Sequence, residues 1–525
     1  MTSTLNGPII PGFAPDPSVT RIGDTFFLVN STFHLFPGLP IYASKDLVNW
    51  TLIGKLEVNH RNKTRIDASI GNAINRRSQI SLRLSDTKLE PQDDGTVMLA
   101  TGGLFAPTIR HDSETEKTYI INTNVIHPED GGKDIPKNFI VETDDVWSDN
   151  WSDPVYLDFD GIDPSIFWDE GGKAYVCGSH GPGPMTTIAL FEIDLSTGKK
   201  LSDEKIVWKG TGGIYPEGPH IYKKDGYYYL LISEGGTFKD HMITVARSDK
   251  IWGPYDAYEN NPILTAAGTD NYVHCTGHCD MFQDKEDRWW GVCLAMRMRG
   301  SRFHMGRESF LVTGHWEQGG WPSLDTVEVT SSHKFKTDVV KTTKTGLDWL
   351  YIRDVNLQHH KVQGSTIRLT PSRADISQWQ KPVSFIGKRQ RKLEGSASVN
   401  LAVPKTGSSR AGLVIYKDEH RYTRIHYNSS SKIICFEIVN NAKKISRSDQ
   451  QEISDETSDI RLLIEYTEDR LVLQFEEEKG VVKTLGIVDT AELSNADFVG
   501  PIVGVYAVSD EENDEVLFTN FEHEQ

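Results

Sequence analysis

The sequence predicts an all-β protein in two parts, a five-bladed β-propeller over residues 1–330 and an antiparallel β-sandwich over 347–525. Three observations predict it. A short motif recurs five times, altered each time: Ala14-Pro15-Asp16-Pro17-Ser18, Phe105-Ala106-Pro107-Thr108, Ile162-Asp163-Pro164-Ser165, Glu217-Gly218-Pro219-His220 and Gly277-His278-Cys279-Asp280. Anchored on residues 16, 106, 163, 217 and 278, the copies stand 90, 57, 54 and 61 residues apart. Each copy is followed by a turn and an aromatic-rich strand, such as Gly23-Asp24-Thr25-Phe26-Phe27 or Asp225-Gly226-Tyr227-Tyr228-Tyr229. Helical periodicity is nearly absent, and short strands between Gly, Pro, Asp and Asn turns dominate. A repeat of this size, made of strands and turns, is the pattern of propeller blades.

The first blade spans residues 8–50. Thr25–Val29 reads as a well-buried strand and Leu39–Ser44 as its return, closed by Lys45-Asp46-Leu47-Val48-Asn49-Trp50. That closing pattern recurs near Trp147 and Trp252, so the repeating unit is a whole blade. Residues 51–104 lengthen the first step and are polar, and they read as an insertion on the rim that shapes the pocket mouth. The blade signals stop near residue 330. Residues 331–346 carry Lys334, Lys336, Lys341 and Lys344 without an apolar pattern and read as a linker. Beyond them, Ala411–Tyr416, Ile460–Tyr466 and Val503–Val508 read as the core strands of the sandwich, and the acidic run at 510–515 as a solvated hairpin loop.

Bulk properties narrow the function. At 525 residues the chain exceeds one core. Its net charge of -18 argues against nucleic acid or an anionic membrane as partner, and suits a small neutral substrate that needs no electrostatic steering. No run of apolar residues is long enough to span a membrane. The N-terminus shows neither a basic nor an apolar leader segment, so the expected location is cytoplasmic, or secreted if a leader had been trimmed. Cys177, Cys275, Cys279, Cys293 and Cys435 are an odd number and read as reduced core residues. Cys275-x3-Cys279 has no second Cys/His pair downstream and fits a structural zinc poorly. The oligomeric state, homo-oligomer included, stays open.

In a radial fold, equivalent positions converge on the axis. Asp16, Asp163, Glu217 and His278 occupy the same place in four of the five copies, so three carboxyls and an imidazole are expected to face one pocket. Taken singly, each has a plainer role. Asp-Pro-Ser is a common turn, and His278 suits a hydrogen-bonded core. Their recurrence in register is what favours function.

Several stretches resemble glycoside hydrolase family 43, in particular its β-xylosidase branch. They are Pro8–Ser18, Ser31-Thr32-Phe33, Phe36-Pro37-Gly38, Ser44–Leu47, Glu217–His220, Glu234-Gly235-Gly236-Thr237 and Gly306–Leu311. Val383–Gln390 and the Ala411–Tyr416 strand resemble that branch's C-terminal concanavalin-A-like sandwich. The resemblance implies Asp16 as general base, Glu217 as general acid and Asp163 as the residue that orients the acid and raises its pKa. It also places His278 near a water or a structural calcium ion on the axis, and implies no cofactor in the chemistry. It gives Arg297 a sugar-contacting role, although Arg297 could instead be held by a carboxylate as a structural ion pair. Phe33 and Phe105 are candidates for the pocket wall or for ordinary core, and Glu234 for a structural role beside the pocket. An aromatic from the sandwich, Phe498 among them, is expected at the pocket mouth.

Glycoside hydrolysis itself calls for one protonated and one ionised carboxyl across the scissile bond. The implied activity is an inverting, exo-acting release of terminal xylose from β-1,4-xylo-oligosaccharides. Release of α-L-arabinofuranose from arabinoxylan is the near alternative. A non-catalytic carbohydrate-binding protein on the same scaffold would be favoured had one of the carboxyls been missing.

Overall fold

The computed structural model describes residues 2–53, 72–76, 78–181, 183–340, 348–404, 408–511 and 515–524. Among them are β-strands and two short 3-10 turns, and no α-helix. Five antiparallel sheets of four or five strands follow one another along the first part of the chain. Their first strands are Ser18–Ile22, Gly103–Asp112, Gly161–Trp168, Glu217–Lys224 and Val273–Gln283. Each lies against the next, and the last lies against the first, so the sheets stand around a closed ring with their first strands innermost.

Neighbouring sheets share apolar cores. Tyr119, Ile121, Ile166 and Val176 join the second and third sheets. Cys177, Leu190, Leu230 and Ala246 join the third and fourth. Leu231, Val245, Met281 and Cys293 join the fourth and fifth, and Val19, Phe26, Trp290 and Val292 the fifth and first. The predicted strand Thr25–Val29 is buried along its whole length.

Four of the five innermost strands break register at the recurring motif. The breaks fall at Phe105/Thr108, Ile162/Ser165, Glu217/His220 and Gly277/Asp280. A bulge adds a residue to one strand and redirects its side chain. In these four sheets the repeated motif is a repeated bulge that turns a residue out of the ladder toward the axis, while in the first sheet Asp16 lies just before an unbroken inner strand.

Two expectations about chain segments change. The stretch read as the start of a linker contains the strand Thr330–Lys336, paired antiparallel with Thr2–Asn6. A strand needs no alternation when its partner, here the start of the chain, supplies the ladder bonds. Residues 341–347 of that expected linker lie outside the described residues. The acidic run at 510–515, of which 512–514 lie outside the described residues, is not a hairpin loop. It joins Ile502–Ser509 in one sheet to Val516–His523 in the other.

The second part is a six-stranded sheet facing a seven-stranded sheet, and all three predicted core strands belong to it. It packs on the propeller. One apolar cluster joins Phe13, Phe33 and Leu35 to Phe385, Val414, Tyr416 and Tyr506. The insertion takes part in this contact. Its residues 54–71 and 77 lie outside the described residues, but Asn72–Ile74 extends the first sheet and Thr87–Pro91 pairs with Val97–Thr101 in a hairpin. The Thr87 N–H donates to Glu419 (2.7 Å) and the Leu99 N–H to the Ala496 carbonyl (2.9 Å), so the hairpin leans on the sandwich.

Candidate active site

Asp16, Asp163 and His278 all sit at left-handed φ, at 51°, 54° and 47°. Asp and His tolerate this region better than most residues, and a strained backbone persists only where the surroundings hold it. The strain aims the three side chains at one point. His278 Nδ1 stands 3.9 Å from Asp16 Oδ1 and 4.0 Å from Asp163 Oδ2. Glu217 joins them from the start of its strand, next to Gly218, whose φ is 55° and whose N–H donates to Asp163 Oδ2 (3.1 Å). A Cβ on Gly218 would press on the His278 ring at 3.0 Å, so glycine there lets the fourth sheet approach the fifth.

The partners of each carboxyl differ. Asp16 Oδ2 accepts from the Ser31 hydroxyl (2.6 Å) and Oδ1 from Arg307 Nη1 (2.9 Å). Asp16 is thus a buried carboxylate that accepts at both oxygens. Glu217 is pushed well above the usual carboxylate range, first by burial, then by the charges of Asp163 and Asp16. Burial raises Asp163 too, but the His278 ring and the Gly218 N–H oppose this. Of this coupled pair, Asp163 is the one hydrogen-bonded as an anion, so the proton belongs on Glu217. His241 Nε2 lies 3.7 Å from Glu217 Oε1, and burial lowers this imidazole to about 3, so it stands neutral beside the acid. Gly277 makes room for it, since a Cβ there would fall 1.3 Å from the His241 ring.

Two residues below the anchors runs a second polar layer. Asp280 accepts from both terminal nitrogens of Arg110 (2.7 and 3.0 Å), from the Ser18 hydroxyl (2.7 Å) and from Tyr222 (2.9 Å). Arg110 also contacts His220 Nδ1 at 3.1 Å. These bonds tie the first, second, fourth and fifth sheets beneath the site. They also bear on the expected axial calcium. Calcium is held by six to eight oxygens. Among the described residues, no three His, Cys, Asp or Glu side chains group as ligands, and Asp280, the next carboxylate down, is engaged by Arg110.

Of the rings expected in the wall, Phe33 is core, fully buried in the cluster shared with the sandwich, and only the partly exposed Phe105 and Phe498 can line a pocket. Phe33 lies 4.8 Å from Phe105 and 5.7 Å from Phe498, ring centre to ring centre, and the guanidinium of Arg307 sits over Phe33 and Phe498 at 5.3 and 5.4 Å. Phe498 is a sandwich residue, so the second domain completes this wall. Its carbonyl accepts from Arg307 Nη2 (3.0 Å), and Arg307 Nη1 also donates to Thr237 (3.0 Å).

Arg297 does not take the place expected of it. Its Nε and Nη2 donate to the two oxygens of the fully buried Glu308 (2.7 and 2.8 Å), so it forms a structural ion pair. Arg307 stands in the site instead. It is one residue from Glu308 and lies within the Gly306–Leu311 stretch already noted in the sequence. Replacing Arg297 with alanine leaves Glu308 buried without its cation, a loss of about 3–5 kcal/mol. Denaturant unfolding should show that loss, while the folded enzyme keeps most of its kcat. Glu234 has the structural role expected. It accepts the N–H groups of Thr211 and Gly213 (both 3.0 Å) and the Thr244 hydroxyl (2.6 Å), and so pins the loop that leads into Glu217.

A glutamic acid held protonated beside an aspartate that accepts at both oxygens is the pair of carboxyls that glycoside hydrolysis requires. Comparison with known proteins agrees. The family model described as Glycosyl hydrolases family 43 matches residues 5–322, and that described as Beta xylosidase C-terminal Concanavalin A-like domain matches residues 338–524. The non-reducing end alpha-L-arabinofuranosidase BoGH43B of Bacteroides ovatus is 32% identical over 96% of this chain and 91% of its own. A xylosidase/arabinosidase of Butyrivibrio fibrisolvens is 31% identical over 96% of each. The solved structure titled Bacteroides ovatus Xyloglucan PUL GH43B superposes with a TM-score of 0.83 at 30% identity, covering 99% of this chain and all of that one. The chain belongs to glycoside hydrolase family 43.

The Asp163 assignment has a direct test. Asp163→Asn removes one of the negative charges that raise Glu217. Glu217 then loses its proton at lower pH, so the alkaline limb of the kcat/KM profile should move toward acid. A profile with an unmoved alkaline limb would show that Asp163 does not tune the acid.

Proposed function

We propose that the enzyme is an inverting, exo-acting glycosidase that releases a terminal pentose, with xylose from β-1,4-xylo-oligosaccharides as the principal substrate. The observation that carries this is the division of labour among the three carboxyls. Asp16, accepting at both oxygens, takes a proton from the attacking water. Glu217, held protonated, gives its proton to the leaving oxygen, and Asp163 keeps it protonated. Both proton transfers use protein carboxyls, and no cofactor takes part.

Inversion requires room for a water, so the Asp16 and Glu217 carboxyls belong about 6.5–9.5 Å apart. The partly exposed rings of Phe105 and Phe498 suit the apolar face of a sugar, and the sandwich residue Phe498 beside the site favours a dead-ended pocket over an open cleft. The substrate is a small neutral oligosaccharide.

A second reading has its own support. One relative that matches nearly the full chain is named an alpha-L-arabinofuranosidase and another a xylosidase/arabinosidase, so α-L-arabinofuranose stands as the alternative terminal sugar. Assay of the purified protein on chromogenic β-D-xyloside and α-L-arabinofuranoside decides between them. A higher kcat/KM on the xyloside is expected, and a preference for the arabinofuranoside would transfer the assignment to arabinose. Hydrolysis of neither would contradict both.

A further inference from the structure

The general acid marks where the leaving group must be. Glu217 protonates the glycosidic oxygen, so the sugar that departs lies against its open side. Two loops border that side, and they are fastened together. The Tyr215 N–H donates to the Pro184 carbonyl (2.7 Å). The Thr186 and Ser179 hydroxyls both donate to the Pro216 carbonyl (2.9 and 2.7 Å). Glu234 holds Thr211 and Gly213 from beneath. Tyr215 itself is kept at a left-handed φ of 52°, which a bulky residue adopts only when its surroundings impose it.

These fastened loops present apolar side chains to solvent. Met185 is 74% exposed and Ile214 46%, and each is next to a residue of the Tyr215–Pro184 hydrogen bond. Exposed apolar groups on a rigid rim beside a reacting carboxyl are a binding surface rather than a core. Burial raises the Tyr215 phenol, and the charges of Glu90, on the hairpin Thr87–Pro91/Val97–Thr101, and of Glu217 add to the effect. The hairpin is fixed by its bonds to Glu419 and Ala496, and Ala496 is two residues from Phe498 of the pocket wall.

We propose that Met185, Ile214 and Tyr215 form the platform for the first leaving-group sugar. This rests on Glu217 being the general acid. The platform takes the C–H face of the ring, and its neighbours Glu217 and Asp163 disfavour a carboxylate-bearing sugar there.

The test compares two substrates of one pentose, a linear oligosaccharide and the glycosyl fluoride, which has no leaving-group sugar to touch the platform. In the Met185→Ser/Ile214→Ser double variant, the ratio of kcat/KM on the oligosaccharide to that on the fluoride should fall about tenfold, since lost apolar contact at a subsite is worth that much. The drop should come mainly through KM. Met185→Leu/Ile214→Val keeps the apolar surface and should restore the ratio, which guards against a mere folding defect. A ratio within twofold of wild type in the serine variant, or an equal loss in both double variants, overturns the platform. A wild-type enzyme inert on fluoride and oligosaccharide alike would instead overturn the glycosidase reading itself.

Discussion

Replacing Asp16 with asparagine is expected to lower kcat by about 10²–10⁴-fold on every glycoside, whatever its leaving group. The amide keeps the size of the carboxylate. Its oxygen can still accept from Arg307 or Ser31, which meet the carboxylate at 2.9 and 2.6 Å. The pocket should therefore remain assembled, and circular dichroism should match wild type. What disappears is the group that takes the proton of the attacking water. Since water attacks in every turnover, no improvement in the leaving group compensates. Steady-state assays on an unactivated oligosaccharide and on a dinitrophenyl glycoside check this. Recovery of near-wild-type rates on the activated substrate would place Asp16 outside the base role.

Glu217→Gln should behave differently. It removes the proton donor and leaves the base in place, so the loss depends on how much help the leaving group needs. Oligosaccharides, whose sugar alkoxide is a poor leaving group, should lose about 10²–10⁴-fold, and aryl glycosides with acidic phenols far less. The pH profile gives a second readout. Glu217 acts while protonated, and burial with the Asp163 and Asp16 charges raises its pKa. Activity should hold below that raised pKa and fall as pH rises through it. With glutamine at 217 this alkaline limb should vanish for the activated substrate.

The converging carboxyls were legible in the sequence because the motif that carries them recurs at one place in each sheet. Four of the five inner strands carry a bulge there, with Asp163, Glu217 and His278 at it or its edge, while Asp16 sits at a left-handed φ just before the unbulged first inner strand. Recurrence at a fixed place in the repeat thus reports convergence in space. The two arginines show what recurrence does not report. Glu308 pairs directly with Ala295, and Arg297, two residues further on, lies on the same face of that sheet and meets the glutamate. Arg307, one residue before Glu308, is turned the other way, toward Asp16. Only the register separates them, and register is set by a pairing that neither stretch reveals alone. Phe498 is similar. Its place in the wall depends on how one sandwich loop docks on another domain, and the strand Thr330–Lys336 depends on a partner at the opposite end of the propeller.

The stereochemistry of the first product tests the central claim most directly. If Asp16 activates water on one face while Glu217 protonates the departing oxygen on the other, the anomeric carbon inverts in a single displacement. Proton NMR during the first minutes of hydrolysis of a β-xyloside should show α-xylose, with the β-anomer growing in later by mutarotation. For an α-L-arabinofuranoside the first product should likewise be the β-anomer. Appearance of the retained anomer first would mean a covalent intermediate, and the roles given to Asp16 and Glu217 would be wrong.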